Sequence, residues 1–177
     1  MTILKIARMG HPVLRTRAEA VPDPTTPDLR RLVRDMQTTL DDAGGVGLAA
    51  PQVHESVRLF LYFVPASRAP DGVARPLSAV FNPVLAPLGD EVELGWEGCL
   101  SIPGLRAAVP RHKRIRLTGI NEDGLPIDEI LHGFAARVVQ HEADHLEGVL
   151  YPMRMEDFRA FGYNEELERY PYPLNQG

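Results

Sequence analysis

From residue 29 onward, Leu29, Leu32, Val33, Met36 and Leu40 return every three to four positions, the period of one helical face. Thr26 offers an N-cap and Pro27 takes the first helical position, where its missing N–H costs nothing. Gly44 and Gly45 end the pattern, so an amphipathic helix laid on a core is predicted, entered through the proline-rich connector 20–27. The pattern then changes to short apolar runs. VRLFLYFV (57–64), AVFNPVLAPL (79–88), 91–96 and RIRLTGI (114–120) read as strands, with NEDG (121–124) as a turn. Residues 65–76 carry three prolines, Asp71 and Gly72 and read as a surface loop. A second helix is predicted from Gly133 to about Glu147, closed by Gly148. Few helices among several strands, without regular alternation, predict an α+β fold.

Length and composition narrow this picture. A chain of 177 residues with 44% hydrophobic positions is expected to form one domain over 1–177, although the tail from about residue 151 carries no motif. One cysteine excludes an intrachain disulfide and four-cysteine metal cages. A net charge of -5 argues against stable nucleic-acid binding or an anionic membrane partner. Arg111, Lys113, Arg114 and Arg116 are locally basic, but Ile115 and Leu117 alternate with them as on a solvated strand. The sharper reading of that stretch is a docking patch for RNA or a ribosome. No signal-peptide pattern opens the chain and no stretch approaches ~20 apolar residues. A cytoplasmic, bacterial-type location is expected, with an organelle after transit-peptide removal left open.

HEADH (141–145) carries the clearest chemistry. His141 and His145 leave one helix face a turn apart, so both imidazoles can meet one metal ion. Glu142 can reach a metal-bound water without being a ligand. From six histidines in 177 positions, chance would supply only about 0.015 such pentapeptides. Phe134, Val138, His141 and His145 share an apolar stripe, which puts the imidazoles on a buried face. The plain alternative is a satisfied pair of core histidines.

A catalytic metal needs a third protein ligand and an open position. The extended pattern HExxHxxGxxH would want histidine at 151, where this chain has Tyr151. A thermolysin-like arrangement would use Glu165 or Glu166. The remaining candidate is Cys99 in WEGCLSIPG, against the alternative of a small buried hydrophobe.

Three segments in order, GVGLAAPQ (45–52), EGCLSIP (97–103) and QHEADHLEG (140–148), resemble the peptide deformylases, a likeness running from about His11 through Leu150. The resemblance implies mixed, mainly antiparallel strands around a central metal-binding helix that carries HExxH. It implies one divalent ion per chain on Cys99, His141 and His145, with Glu142 as general acid/base. Gln52 and the Leu100 N–H would stabilise the oxyanion, and Glu97 with Arg111 would form an ion pair behind the ligands. The implied activity is removal of the formyl group from the initiator methionine of nascent polypeptides by a hydroxide generated on the metal. Iron(II) is expected in the cell; zinc, nickel and cobalt also suit a thiolate with two imidazoles. Gly45, Val46 and Gly47 are expected to meet the substrate backbone, the glycines by turn freedom, and Phe134 and Val138 to wall the methionine pocket. The segment after Leu150 lacks the strongly basic C-terminal helix that some relatives use for ribosome docking, so only a transient ribosome contact is expected.

Overall fold

The computed structural model describes residues 1–69 and 72–174. Helix α1 spans Pro27–Ala43, with Thr26 in the N-cap position, although its hydroxyl makes no capping bond. Val33, Met36 and Leu40 are buried, and Leu29 and Leu32 pack on the same cluster. Gly44 ends the helix in a left-handed conformation at φ 65°, its N–H bonding back to Asp41 and Leu40. That conformation is one glycine adopts freely.

Two antiparallel sheets follow. The larger has the order β1 (Gly47–Ala49), β2 (Leu59–Val64), β3 (Arg75–Pro87), β6 (Arg114–Ile120), β7 (Pro126–His132). The smaller has the order β4 (Val92–Cys99), β5 (Ile102–His112), β8 (Phe161–Tyr163). The four expected strands correspond to β2, β3, β4 and β6. Strands β1, β5, β7 and β8 were not expected. Pro103, Gly104 and Pro110 disguise β5 as loop, and β7 is a charged edge strand that begins on a proline. The loop expected at 65–76 holds a short 3-10 turn, Ala66–Arg68, and β3 starts at Arg75; Pro70 and Asp71 lie outside the described residues.

Helix α2 (Gly133–Leu146) touches strands of both sheets. Ala135, Ala136, Val138, Val139 and Leu146 pack with Phe60, Val80, Ile115, Leu117 and Leu131 in one core cluster. Each aliphatic side chain fully buried there contributes about 1.5–3 kcal/mol. Gly148, just past the helix, has φ 72°, and a Cβ on it would meet the Arg15 backbone at 2.8 Å. The helix therefore ends where the chain crosses closely over Arg15. Strands β1 and β4 are both sheet edges, and a cleft opens between them beside α2. Among the described residues, no helix is long and apolar enough to cross a membrane.

Candidate active site

The end of β4 brings Cys99 to His141 and His145 on α2, and one donor atom from each lies within 4.8 Å of the others. Cys99 Sγ stands 3.3 Å from His145 Nε2, and the imidazoles meet edge to face at 5.0 Å. Both histidines are buried. Burial alone would lower the His141 pKa, but hydrogen bonds to Cys99 and Glu97 raise it well above its ordinary value. Burial lowers that of His145, and the neighbouring His141 charge adds to the effect. One sulfur and two imidazole nitrogens, converging beside the partnerless Glu142 Oε2, fit a divalent transition metal. Glu165 and Glu166, the thermolysin-like alternative, sit exposed in the first turn of α3 (Asn164–Arg169), outside this cluster.

Glu142 is buried, and burial pushes its pKa up to about 7. Its carboxylate lies directly under Gly47, where an added Cβ would overlap Oε1 and stand 2.7 Å from Cδ. Gly47 and Gly45 do not have positive φ, so turn freedom is not what they supply. They supply room. A Cβ on Gly45 would press on Leu40 and Leu100 at 3.0 and 3.1 Å.

Gln52 is fixed rather than an exposed loop amide. Its Oε1 accepts from the Ala49 N–H at 2.9 Å, which turns Nε2 toward Cys99 Sγ (3.4 Å) and Ser101 Oγ (3.2 Å). The amide therefore presents its donors to the cluster.

Behind the ligands, Glu97 and Arg111 are a buried bidentate pair: Arg111 Nε and Nη2 donate to the two carboxylate oxygens at 2.9 and 3.0 Å. Glu97 also contacts His141 Nδ1 at 2.9 Å and accepts from Arg137 Nη1 at 2.9 Å. Burial would raise the Glu97 pKa, but the His141 and Arg111 bonds outweigh it and bring it to about 2. The remaining Arg111 nitrogen, Nη1, donates to Asp144 at 2.6 Å, and Asp144 also accepts from Arg154 at 2.7 Å. Arg137, Asp144 and Ser101 were not anticipated. Arg137 and Asp144 lie four residues before and three after His141, a spacing that could have placed them beside it. Tyr151, rejected as a ligand position, stacks on His141 with centroids 6.2 Å apart, and its buried hydroxyl has no partner.

A cleft of about 620 Å³ opens onto Glu142, Cys99 and His141. Gly45, Val46, Gly47, Leu100, Phe134 and Val138 line it. Arg68, Trp96, Arg106 and Glu168 also line it and carried no sequence signal. The basic stretch at 111–116 is largely neutralised: Arg111 is buried, Lys113 lies 3.8 Å from Glu91, and Arg116 lies 2.6 Å from Asp128.

The polypeptide deformylase family profile matches residues 3–160. Peptide deformylase 2 of Ralstonia nicotianae is 49% identical over 166 residues, covering 93% of this chain and 94% of its own. Peptide deformylase 1 of Nitrosomonas europaea is 48% identical with the same coverage. Among solved structures, the Met-Ala-Ser-bound class I type b peptide deformylase of Acinetobacter baumannii superposes with a TM-score of 0.81 at 34% identity, over 87% of this chain and 99% of that one. The actinonin complex of the Synechococcus elongatus peptide deformylase gives 0.81 at 32% identity, over 98% and 89%.

Proposed function

The chain belongs to the polypeptide deformylase family, whose members remove the N-formyl group from nascent polypeptides, and we propose that it does so with Glu142 working beside an ion held by Cys99, His141 and His145. The observation that carries this reading is the convergence of those three donors within 4.8 Å, with the buried Glu142 carboxylate at hand. A divalent ion there would supply Lewis acidity, making water nucleophilic near neutral pH and polarising the formyl oxygen. Iron(II) is the proposed cellular ion, one per chain; zinc, nickel and cobalt suit the same donors.

The chain's own residues do the rest. Glu142, whose pKa burial brings to about 7, takes a proton from the attacking water and returns it to the leaving amine. Carbon–nitrogen cleavage then gives formate and a free methionyl amine. Gln52 Nε2, aimed by the bond from the Ala49 N–H to Oε1, donates to the oxygen on which negative charge develops, together with the Leu100 N–H. The edges of β1 and β4 receive the peptide backbone, with the bare Gly45 and Gly47 allowing close approach. Phe134 and Val138, which line the cleft, wall the methionine side chain. Glu97 bonds His141 Nδ1, which leaves Nε2 for the ion, and Arg111 holds Glu97. In this reading, residues 1–177 form one catalytic domain that works in the cytoplasm. The neutralised 111–116 stretch supports no more than a transient ribosome contact.

The test is mass spectrometry of a formyl-methionyl tripeptide after anaerobic incubation with freshly purified protein. Loss of the formyl group alone is expected, and Glu142→Gln should keep its metal while losing about 10²–10⁴-fold in turnover. Cleavage at an internal peptide bond, or an untouched peptide with metal bound, would refute the reading.

A further inference from the structure

The outer end of the cleft carries charges that deformylation itself leaves without a task. Arg106 on β5 pairs directly with Gly98 of β4, the residue before Cys99. Because Gly98 has no side chain, the guanidinium reaches over the diagonal neighbour Trp96, with Cζ 5.3 Å from the ring centroid. Its Nε is buried without a hydrogen-bond partner among the described residues. Its ion pair, Nη1 to Glu168, is long at 3.7 Å, and the Glu168 side chain is 70% exposed. A guanidinium has five donors, so most of its bonding capacity is unspent.

Arg68, at the end of the 3-10 turn Ala66–Arg68, lies over the ring of Phe134 on α2 with Cζ 4.1 Å from the centroid. Arg68, Arg106 and Glu168 line the same cleft as Cys99 and Glu142. The other charges there are accounted for: Glu142 by its proposed work beside the ion, Glu97 by two arginines and His141, Arg137 by Glu97 and three backbone carbonyls. Two cations and one anion therefore face whatever follows methionine. Glu168 lies beyond residue 160, where the family match ends.

We propose that Arg106, with Arg68 across the cleft, makes this protein favour formyl-methionyl peptides with an acidic side chain at the second or third residue, and that Glu168 is a built-in competitor for Arg106. The proposal rests on the deformylase reading and adds a substrate preference to it. An extended peptide advances about 3.3–3.6 Å per residue, so those side chains fall within an arginine's reach of the methionine pocket. Exposed ion pairs are weak, so the preference is about two- to fivefold in kcat/KM, and it vanishes in ~1 M salt.

The metal-loaded protein is assayed on amidated formyl-Met-Glu-Ala against formyl-Met-Lys-Ala, and formyl-Met-Ala-Glu against formyl-Met-Ala-Lys, with formyl-Met-Ala-Ser as neutral reference. In at least one pair the acid-to-base ratio should exceed about 2 at low salt. Glu168→Gln should raise that ratio, and Arg106→Gln should lower it. Glu168→Gln alone still decides the matter should the Arg106 variant not fold. A wild-type ratio at or below one, or a Glu168→Gln ratio that stays level or falls, overturns the proposal while the neutral peptide is still turned over. A neutral peptide left intact overturns the deformylase reading, and this preference with it.

Discussion

Replacing Gly47 by alanine probes the site without touching a proposed ligand or Glu142 itself. The new Cβ would stand 2.9 Å from Glu142 Cγ and 2.7 Å from Cδ, against ordinary contact beginning at 3.4 Å. These carbons must retreat by about 0.5–0.7 Å, and Oε1, which the Cβ overlaps outright, must retreat further. Little room exists for that, because Glu142 is buried on a helix wedged against both sheets. A displacement of about 1 Å at a reacting group can cost ~10²-fold in rate. Overpacking should cost about 1–3 kcal/mol of stability as well.

The assay is kcat on formyl-Met-Ala-Ser, with metal content measured on the same preparation. Gly47→Ala should retain its metal, because the three atoms nearest the new methyl all belong to Glu142 and none to Cys99, His141 or His145. Its kcat should fall by about 10–100-fold. A variant with bound metal and kcat within about threefold of wild type would refute the claim that Gly47 is bare to admit the Glu142 carboxylate. A variant that instead loses its metal would show that strain passes down α2 to the imidazoles, which the same reasoning does not allow.

Three further substitutions test other parts of the site. Cys99→Ser exchanges a thiolate for a weak hydroxyl ligand and should abolish stable metal binding along with turnover, as read by metal analysis after gel filtration. Arg111→Lys keeps the charge but cannot reproduce the bidentate bond to Glu97 together with the bond to Asp144, so metal affinity should fall about 10–100-fold in a chelator competition. Unchanged affinity would mean that the ion pair does not position His141. Tyr151→Phe removes a buried hydroxyl without a partner and should raise stability by about 1–3 kcal/mol in urea unfolding; a loss would reveal a partner for that oxygen.

What could be read from the chain itself follows from how local each signal is. His141, Glu142 and His145 lie on consecutive turns of one helix, so periodicity alone put them on one buried face. Strands β2 and β6 announced themselves through dense apolar or alternating runs. Strand β5 did not, because Pro103, Gly104 and Pro110 carry turn chemistry that its pairing with β4 overrides. The three residues of β1 vanish inside a string whose glycines suggest a flexible turn. Gly47 shows how a residue can be singled out for the wrong reason: the need for an empty volume appears only once Glu142 is packed against it. Arg137 and Asp144 are easily passed over for a related cause, despite their spacing from His141. A charged residue on a helix ordinarily reads as solvent-facing, and only three-dimensional pairing makes its burial affordable.

That pairing explains how ligands from a strand and a helix can share one geometry. Cys99 stands two residues beyond Glu97 on β4, and His141 and His145 flank Asp144 on α2. Arg111 bonds both acids, Glu97 through Nε and Nη2 and Asp144 through Nη1. A single planar guanidinium thus fixes the separation between the strand that carries the thiolate and the helix that carries the imidazoles. Arg137 adds a second tie, donating to Glu97 and to the carbonyls of Glu93, Gly95 and Val109 from the turn before His141. Burying these ions is costly, and replacing such networks with apolar packing is often neutral or stabilising. Their value here lies elsewhere. An apolar core would let β4 slide against α2 at little cost, whereas directional bonds between fixed oxygens and a rigid fork resist it. The donor atoms can then meet within 4.8 Å although the thiolate lies more than forty residues before either imidazole in the chain.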